Sequence, residues 1–468
     1  MDNSDFAYES ASPANSNMTA EASGSSRVYQ AGHDQVIYEQ NPPFYLTQVP
    51  LSAPVVEPDR LVLQPSRMLR TKFEIVPFIG RDTEVSQLKK WRDTAISRIA
   101  VCLIHGPGGQ GKTRLAVQLA RMWADEGWTA LQALSPNDFK DLDSVEILPE
   151  NETEGRVVLV DYADRWELAD LLALLRKMVG STNLPIRIIM LSRPAGTWWQ
   201  TFSYQIERSL DIAVDQMYLS PLADSSEDRL RLFEQARDVF GARLGVQDPT
   251  YIRPPDGLDK NGNYNQVLTV HMAALAAVVA FIDVDYPPRD PAELSAFLLA
   301  RERGYWLDMH SRRYDPIRTP PDAMRQTVYT ATLTGALSYP DALSALRCVR
   351  VESPEELGQL IRDHARCYPP NEKDNALEPL YPDRLGEDFI ALTTPGHNNS
   401  IYPPDPWARG ALARLLKLCE EGHKSHGSPP WALSMETLLN EIGSRWPHVA
   451  SFTLGGRLAT GRHHRRGI

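Results

Sequence analysis

No apolar run follows a basic start in this chain, so nothing in it reads as a secretory leader. It also lacks a stretch long enough to cross a bilayer. The longest apolar run, Val267 to Ile282, falls about one turn short of the roughly 20 residues required, and His271 interrupts it, so a buried helix is expected. Cysteine is scarce: Cys102, Cys348, Cys367 and Cys419 lie far apart with no C-x-x-C pair, which argues against a zinc site or a disulfide framework and for reduced thiols. Basic charge is not in excess. The net charge is −11, and residues 1–66 hold eight acidic side chains against Arg27 and Arg60, leaving −5 for the rest. A dedicated nucleic-acid binder needs a concentrated basic surface, so that class is disfavoured. No repeat recurs at 20–50-residue spacing, so a repeat array is not expected. With 468 residues, 42% of them hydrophobic, the chain can hold two to four cored domains. These absences together place it in the cytoplasm, away from membranes.

What is present is a phosphate-binding loop. The apolar run Val101-Cys102-Leu103-Ile104-His105 leads into Gly106-Pro107-Gly108-Gly109-Gln110-Gly111-Lys112-Thr113, and an amphipathic helix from Arg114 to Glu126 follows. Strand, G-x-x-x-x-G-K-[ST] and helix come in the order the motif needs. Its glycines let backbone N–H groups converge on phosphate oxygens, and the helix start adds its positive dipole end. Lys112 would span the β- and γ-phosphates of ATP, or reach the β-phosphate of ADP, with Arg114 beside it, and the Thr113 hydroxyl would hold Mg²⁺.

Around this motif strands and helices alternate. The pattern predicts a helix carrying Val85, Leu88 and Trp91 on one face, a strand Trp128–Leu134, a strand Arg156–Val160, a helix Trp166–Met178, a strand Ile186–Leu191 and a last strand near Met217–Leu219. Such alternation implies an α/β fold, a parallel sheet with helices on both faces and a ligand site at the carboxyl ends of its strands. After Pro221 only helical periods remain: Glu227–Phe240, Val267–Ile282, Pro291–Met309, Pro321–Leu337, Pro340–Val349, Glu355–His364 and Trp407–Leu418, with a disordered-looking loop near Pro254–Asn265. Residues 1–25 are too poor in large apolar groups to order themselves, and the prolines between Asn41 and Pro65 make a semi-extended connector, so the folded part is expected from near Phe73. The expected divisions are a tail and linker at 1–66, an NTPase domain at 67–225, a helical domain at 226–315, and a helical, winged-helix-like region at 316–468 ending in the basic Arg462-His463-His464-Arg465-Arg466.

Two further strands end in chemistry. Arg156–Val160 runs into Asp161, a carboxylate placed to bind Mg²⁺ or its water shell. Asp164, three residues on, could activate a water attacking the γ-phosphate or could cap the next helix. Ile186–Leu191 runs into Ser192-Arg193, which puts a cation where it could report on the γ-phosphate; an ordinary surface arginine is the alternative. In the tail, Ser26–Tyr38 is an island of β-branched, aromatic and amide side chains suited either to cross-strand stacking or to an ordinary hairpin or docking segment.

These residues resemble the STAND-class NTPases, the group that includes NB-ARC and NACHT proteins and bacterial signalling ATPases. The likeness is carried by Phe78-Ile79-Gly80-Arg81-Asp82-Thr83-Glu84, the phosphate loop, Asp161 with Asp164, Leu191-Ser192-Arg193 and Ser220-Pro221-Leu222, and covers about residues 73–225. It implies that Ile79, Gly80 and Arg81 lie near the adenine, that Pro221 closes the nucleotide domain, and that helical and winged-helix domains follow. Two family motifs depart from pattern. Asn265–Val270 lacks the proline of a Gly-x-Pro turn, and Tyr381-Pro382-Asp383 has proline where a Met-His-Asp histidine would touch ADP. The Gln30-Ala31-Gly32 core resembles the amyloid-forming signalling motifs of the RHIM type. The family implies a slow ATP/ADP-dependent switch that forms a homo-oligomer on activation and engages a protein partner through the tail. A constitutive ATPase or kinase, or an ATP-regulated transcription regulator, remain the alternatives. A GTPase is disfavoured, because Asn371-Glu372-Lys373-Asp374 lies far from the sheet in sequence.

Overall fold

The apolar run before the phosphate loop forms β2 (Ile99–His105), a strand paired along both edges with its first six residues buried. A strand covered on both faces needs such a continuous apolar run rather than alternation. β5 (Ile186–Ser192) and β6 (Ala213–Tyr218) flank it in parallel, β4 (Gly155–Val160) lies outside β5, and β3 (Trp128–Leu134) outside β4. An antiparallel strand β1 (Tyr45–Gln48) closes the β3 edge, with Tyr45 opposite Leu134. The order is therefore β1-β3-β4-β5-β2-β6.

Side chains that alternate along β2 divide between two cores. Cys102 and Ile104 pack with Leu88 of α2 (Asp82–Thr94) and with Leu115, Leu119 and Trp123 of α3 (Lys112–Asp125). Val101 and Leu103 pack on the other face with Leu171 and Leu175 of α4 (Leu168–Ser181) and Phe202 of α5 (Gly196–Leu210). The structure, a computed structural model, describes residues 43–135, 153–181, 183–193, 195–259, 264–288, 291–372, 374–425 and 427–452, and those from Pro43 on belong to one compact unit.

The second half is helical, as its periodicity predicts. α6 (Ser226–Arg243) starts at Ser225, whose hydroxyl accepts from Asp228 N at 3.0 Å. α7 (Val267–Ile282) is buried over most of its length, and no helix among the described residues is long and apolar enough to cross a membrane. Then come α8 (Pro291–Ser311), α9 (Pro321–Thr334), β7 (Leu337–Ser338), α10 (Tyr339–Val349), α11 (Leu357–Cys367) and β8 (Asn375–Leu377), followed by α12 (Asp383–Thr393), α13 (Pro406–Ser425) and α14 (Ala432–Arg445). β7 and β8 pair antiparallel, giving a helix–strand–helix–helix–strand order from α9 to β8.

Several expectations change. The connector expected across 41–65 is structured wherever it is described: Tyr45 and Val49 are buried, and Leu61 and Met68 reach the helical core, so the fold begins well before Phe73. Prolines do not prevent this, because Pro43 and Pro50 flank an edge strand with one side free of ladder bonds. The helix expected to run to Leu337 stops at Thr334, where Gly335 takes a positive φ of 78°. Leu258 and Tyr264 are buried anchors inside the loop expected to be disordered. The Ser26–Tyr38 island and the Arg462–Arg466 tail lie outside the described residues. All four cysteines are free.

A buried polar knot fastens the early segment to the helices. Glu302 of α8 is 2% exposed and accepts from Gln64 Nε2 at 2.8 Å, from the Ser66 hydroxyl and from Tyr368 Oη at 2.7 Å. Glu302→Ala leaves three buried donors without their acceptor and is expected to cost about 3 kcal/mol in urea unfolding. A loss under about 1 kcal/mol would mean that water takes the carboxylate's place.

Candidate functional site

The phosphate loop is stitched at the carboxyl end of the sheet. Gly106 N donates to Arg193 O at 2.9 Å and Leu219 N to His105 O at 2.8 Å, so β5 and β6 hold the loop from both sides. A side chain is excluded at Gly106, where a Cβ would stand 2.9 Å from Leu219 O. Gly109 takes a φ of 77° and lies against Leu268, whose N–H donates to Gly109 O at 3.1 Å. This brings the 265–268 stretch, singled out in the sequence, onto the loop; Gln110 Nε2 also reaches Asn265 O at 3.3 Å.

Lys112 Nζ donates to Gly106 O at 2.7 Å and Pro107 O at 3.0 Å. Burial, and then the neighbouring Arg193 charge, lower its ammonium to about 8. Thr113 Oγ1 donates to Asp161 Oδ2 at 2.9 Å, while Tyr162 N donates to Asp161 Oδ1 at 2.9 Å. Burial pushes the Asp161 carboxyl up to about 6, against those two hydrogen bonds. A cavity of about 520 Å³ opens over Gly108, Gly109, Gly111, Lys112, Thr113 and Asp161 and extends to Arg70, Lys72, Asn371 and Tyr381.

Asp161 is not next to the phosphate-loop strand in the sheet: β5 is inserted between them, and Arg193 ends that inserted strand. Arg193 lies on the loop itself, since a Cβ at Gly108 would be 3.2 Å from its Cζ. It is no ordinary surface arginine. Nη2 meets Asp383 Oδ2 at 3.0 Å and Glu387 Oε1 at 2.5 Å, and Nη1 meets Glu441 Oε2 at 3.2 Å, with the guanidinium 9% exposed. Tyr162, at a positive φ of 49°, donates its hydroxyl to Asp383 Oδ2 at 2.6 Å. Burial works against charge at Asp383, but Arg193, Arg165 and the Tyr162 bond outweigh it and hold the carboxyl below its usual range. Glu387 also takes Arg445 Nη2 at 2.5 Å. Carboxylates from α12 and α14 thus enclose the cation at the tip of β5.

The remaining residues fall around this centre. Arg114 donates to Val76 O at 3.2 Å, holding the preceding segment against the start of α3, and it lines the cavity. Arg81 is 4% exposed and committed to Glu84 at 2.5 Å and Gln110 O at 3.1 Å, so it braces the loop. Ile79 packs against the helical core, and a Cβ at Gly80 would stand 3.0 Å from Leu222 Cδ1. Ile79, Gly80, Arg81 and Pro221 do not line the cavity; Arg70, Thr71, Lys72 and Glu74 of the same segment do. Asp164 sits in a 3₁₀ turn before α4, too early to cap it, with Oδ1 buried and unpartnered and its carboxyl raised by burial. Tyr162, Glu387 and Glu441 had no signal in the sequence, because nothing local distinguishes them from surface polar residues.

The β6-β2-β5-β4-β3 order, the loop on β2, the carboxylate on β4 and the arginine on β5 define a P-loop NTPase fold, of the kind with a strand inserted between the loop and carboxylate strands. The chain matches no family model and no curated protein. Among solved structures it is similar to the ORC2 protein of Aeropyrum pernix in ADPNP–ADP complexes, at 15% identity, covering 70% of this chain and 96% of that one, with a TM-score of 0.33. It is also similar to NtrX of Brucella abortus in complex with ATP (17% identity, 56% and 71% covered, TM-score 0.33) and to PCH-2 of C. elegans (18%, 55% and 74%, TM-score 0.28). Scores this low carry no shared activity.

Proposed function

We propose that this chain is an ATP/ADP-dependent signalling switch of the STAND type with slow ATP hydrolysis, in which nucleotide controls association into a homo-oligomer. The observation that carries the reading is the enclosure of Arg193 by Asp383, Glu387 and Glu441. A cation lying on the phosphate loop is bound to carboxylates of the C-terminal helices, so a γ-phosphate and those helices compete for one guanidinium. A phosphate that wins frees the helices, which is how a bound group can bias a two-state element.

The residues fit the nucleotide and its metal. Loop N–H groups, Lys112 and Arg114 would take the phosphates, and the Thr113 hydroxyl and Asp161 carboxylate are the hard oxygen donors that Mg²⁺ takes. Among the described residues no cluster of three or more metal-binding side chains occurs, which suits an ion completed by phosphate and water. Bound there, the ion would neutralise charge on the phosphates. Asp164, whose Oδ1 is buried without a hydrogen-bond partner, is the candidate to orient the attacking water. The output partner, a protein, would be engaged through Ser26–Tyr38.

Nucleotide titration across pH tests the loop. Lys112 is charged below about 8 and neutral above it. A bound phosphate favours the charged form, so affinity is expected to fall as pH rises through about 8, by up to about tenfold per unit. Lys112→Arg, charged throughout, should abolish that fall; an unchanged pH profile would take Lys112 off the phosphates.

A further inference from the structure

The cavity over the phosphate loop contains two cations that the 5′-phosphate chain of a nucleotide does not call for. Arg70 Nη2 donates to Asn371 Oδ1 at 3.0 Å, and Lys72 Nζ donates to the same oxygen. The amide cannot turn away from them, because Asn371 Nδ2 donates to Glu378 Oε2 at 2.9 Å and Asn371 N to Glu378 Oε1 at 2.8 Å. The Arg70 guanidinium is seated over the Tyr381 ring, 4.7 Å from its centroid. Glu378 and Glu372 act on Lys72 only at longer range, and among the described residues no carboxylate lies within ion-pair distance of either cation.

Two positive groups sharing one neutral oxygen is an arrangement short of an anion. Desolvation lowers both groups, at Lys72 through partial cover although its side chain reaches solvent, and the Arg70 charge adds to the effect at Lys72, which stands at about 8. Lys112 and Arg114 hold only loop and segment carbonyls and are the cations the 5′ chain itself would take, while the other two cavity cations are already paired. Arg121 has Glu74 at 2.8 Å and Arg193 has its three carboxylates.

We propose that Arg70 and Lys72 form a second anion site within the nucleotide cavity, taking a phosphate that the ligand carries away from its 5′ chain. The ligand class is then a nucleotide phosphorylated on the ribose, or a dinucleotide, rather than a plain nucleoside diphosphate or triphosphate. This rests on the nucleotide reading above. A cavity of about 520 Å³ is within the range of small-molecule sites.

The test is calorimetric titration of the full chain with ADP and with adenosine 3′-phosphate 5′-diphosphate, for the wild type, Lys72→Gln and Arg70→Gln, at low and high salt. The extra phosphate is expected to tighten binding by about tenfold in the wild type, with the gain shrinking as salt rises. Each variant should lose that gain while holding ADP affinity within about twofold. Equal affinity for the two ligands, or a gain that survives both substitutions, would overturn the second site while leaving the nucleotide reading in place. Binding of neither ligand would overturn both. Lys72 is exposed, so its variant decides the matter if Arg70→Gln, which gives up the contact with Tyr381, does not fold.

Discussion

Lys112→Ala is expected to weaken ADP and ATP binding by about 100-fold or more, the equivalent of roughly 3 kcal/mol of charge-assisted hydrogen bonding to phosphate. The same substitution should leave thermal stability unchanged or slightly improved. Lys112 feels the Arg193 charge with its ammonium partly desolvated, and among the described residues its hydrogen-bond partners are two carbonyls of its own loop. Removing a cation that burial and a like charge both disfavour takes little from the fold. Equilibrium dialysis with labelled ADP, beside a melting curve, separates the two effects. Wild-type affinity in the variant would remove the phosphate loop from the account, and a collapsed melting temperature would show that the lysine is structural.

The second large effect concerns Arg193. Asp383→Asn with Glu441→Gln removes two of its three carboxylates, keeps an acceptor for the Tyr162 hydroxyl and spares the Glu387–Arg445 pair. Weakening the enclosure by about 2 kcal/mol shifts the balance between enclosed and free arginine by roughly 30-fold. The double variant is therefore expected to bind a non-hydrolysable ATP analogue tighter by a factor of that order, with ADP affinity little changed. Arg193→Ala should lower stability: Asp383 and Glu441 lose their ion-pair partner and the nearly buried Glu387 keeps only Arg445, at a cost of about 3 kcal/mol. Equal gains for ADP and the ATP analogue would mean that the carboxylates do not compete with a γ-phosphate.

The centre of this site is legible in the sequence because its parts are contiguous. A strand, a glycine loop, Lys112 and Thr113 sit in one run of letters, and Asp161 and Arg193 each end an apolar strand. Their neighbourhood is not contiguous. Nothing local says that β5 enters the sheet between β2 and β4, which is what lays Arg193 on Gly108. α12 has no counterpart among the predicted helices: its acids Asp383, Glu387 and Asp388 break the apolar pattern, yet every residue from Leu385 to Thr393 is buried, because Arg193 and Arg445 meet the acids. Ile79 and Arg81, expected near the adenine, do not line the cavity. Arg81 turns inward onto Glu84, and the turns before it present Arg70 and Lys72 to the cavity instead. β1 is hidden by its flanking prolines, which an edge strand tolerates.

The measurement that bears most directly on the switch is light scattering of the Asp383→Asn/Glu441→Gln protein with ADP or a non-hydrolysable ATP analogue, beside the same protein carrying Lys112→Ala. The account expects the ADP form to stay at one chain's mass, the ATP-analogue form to assemble, and Lys112→Ala to abolish the difference. One mass under both nucleotides, with binding of each confirmed in the same samples, would contradict it.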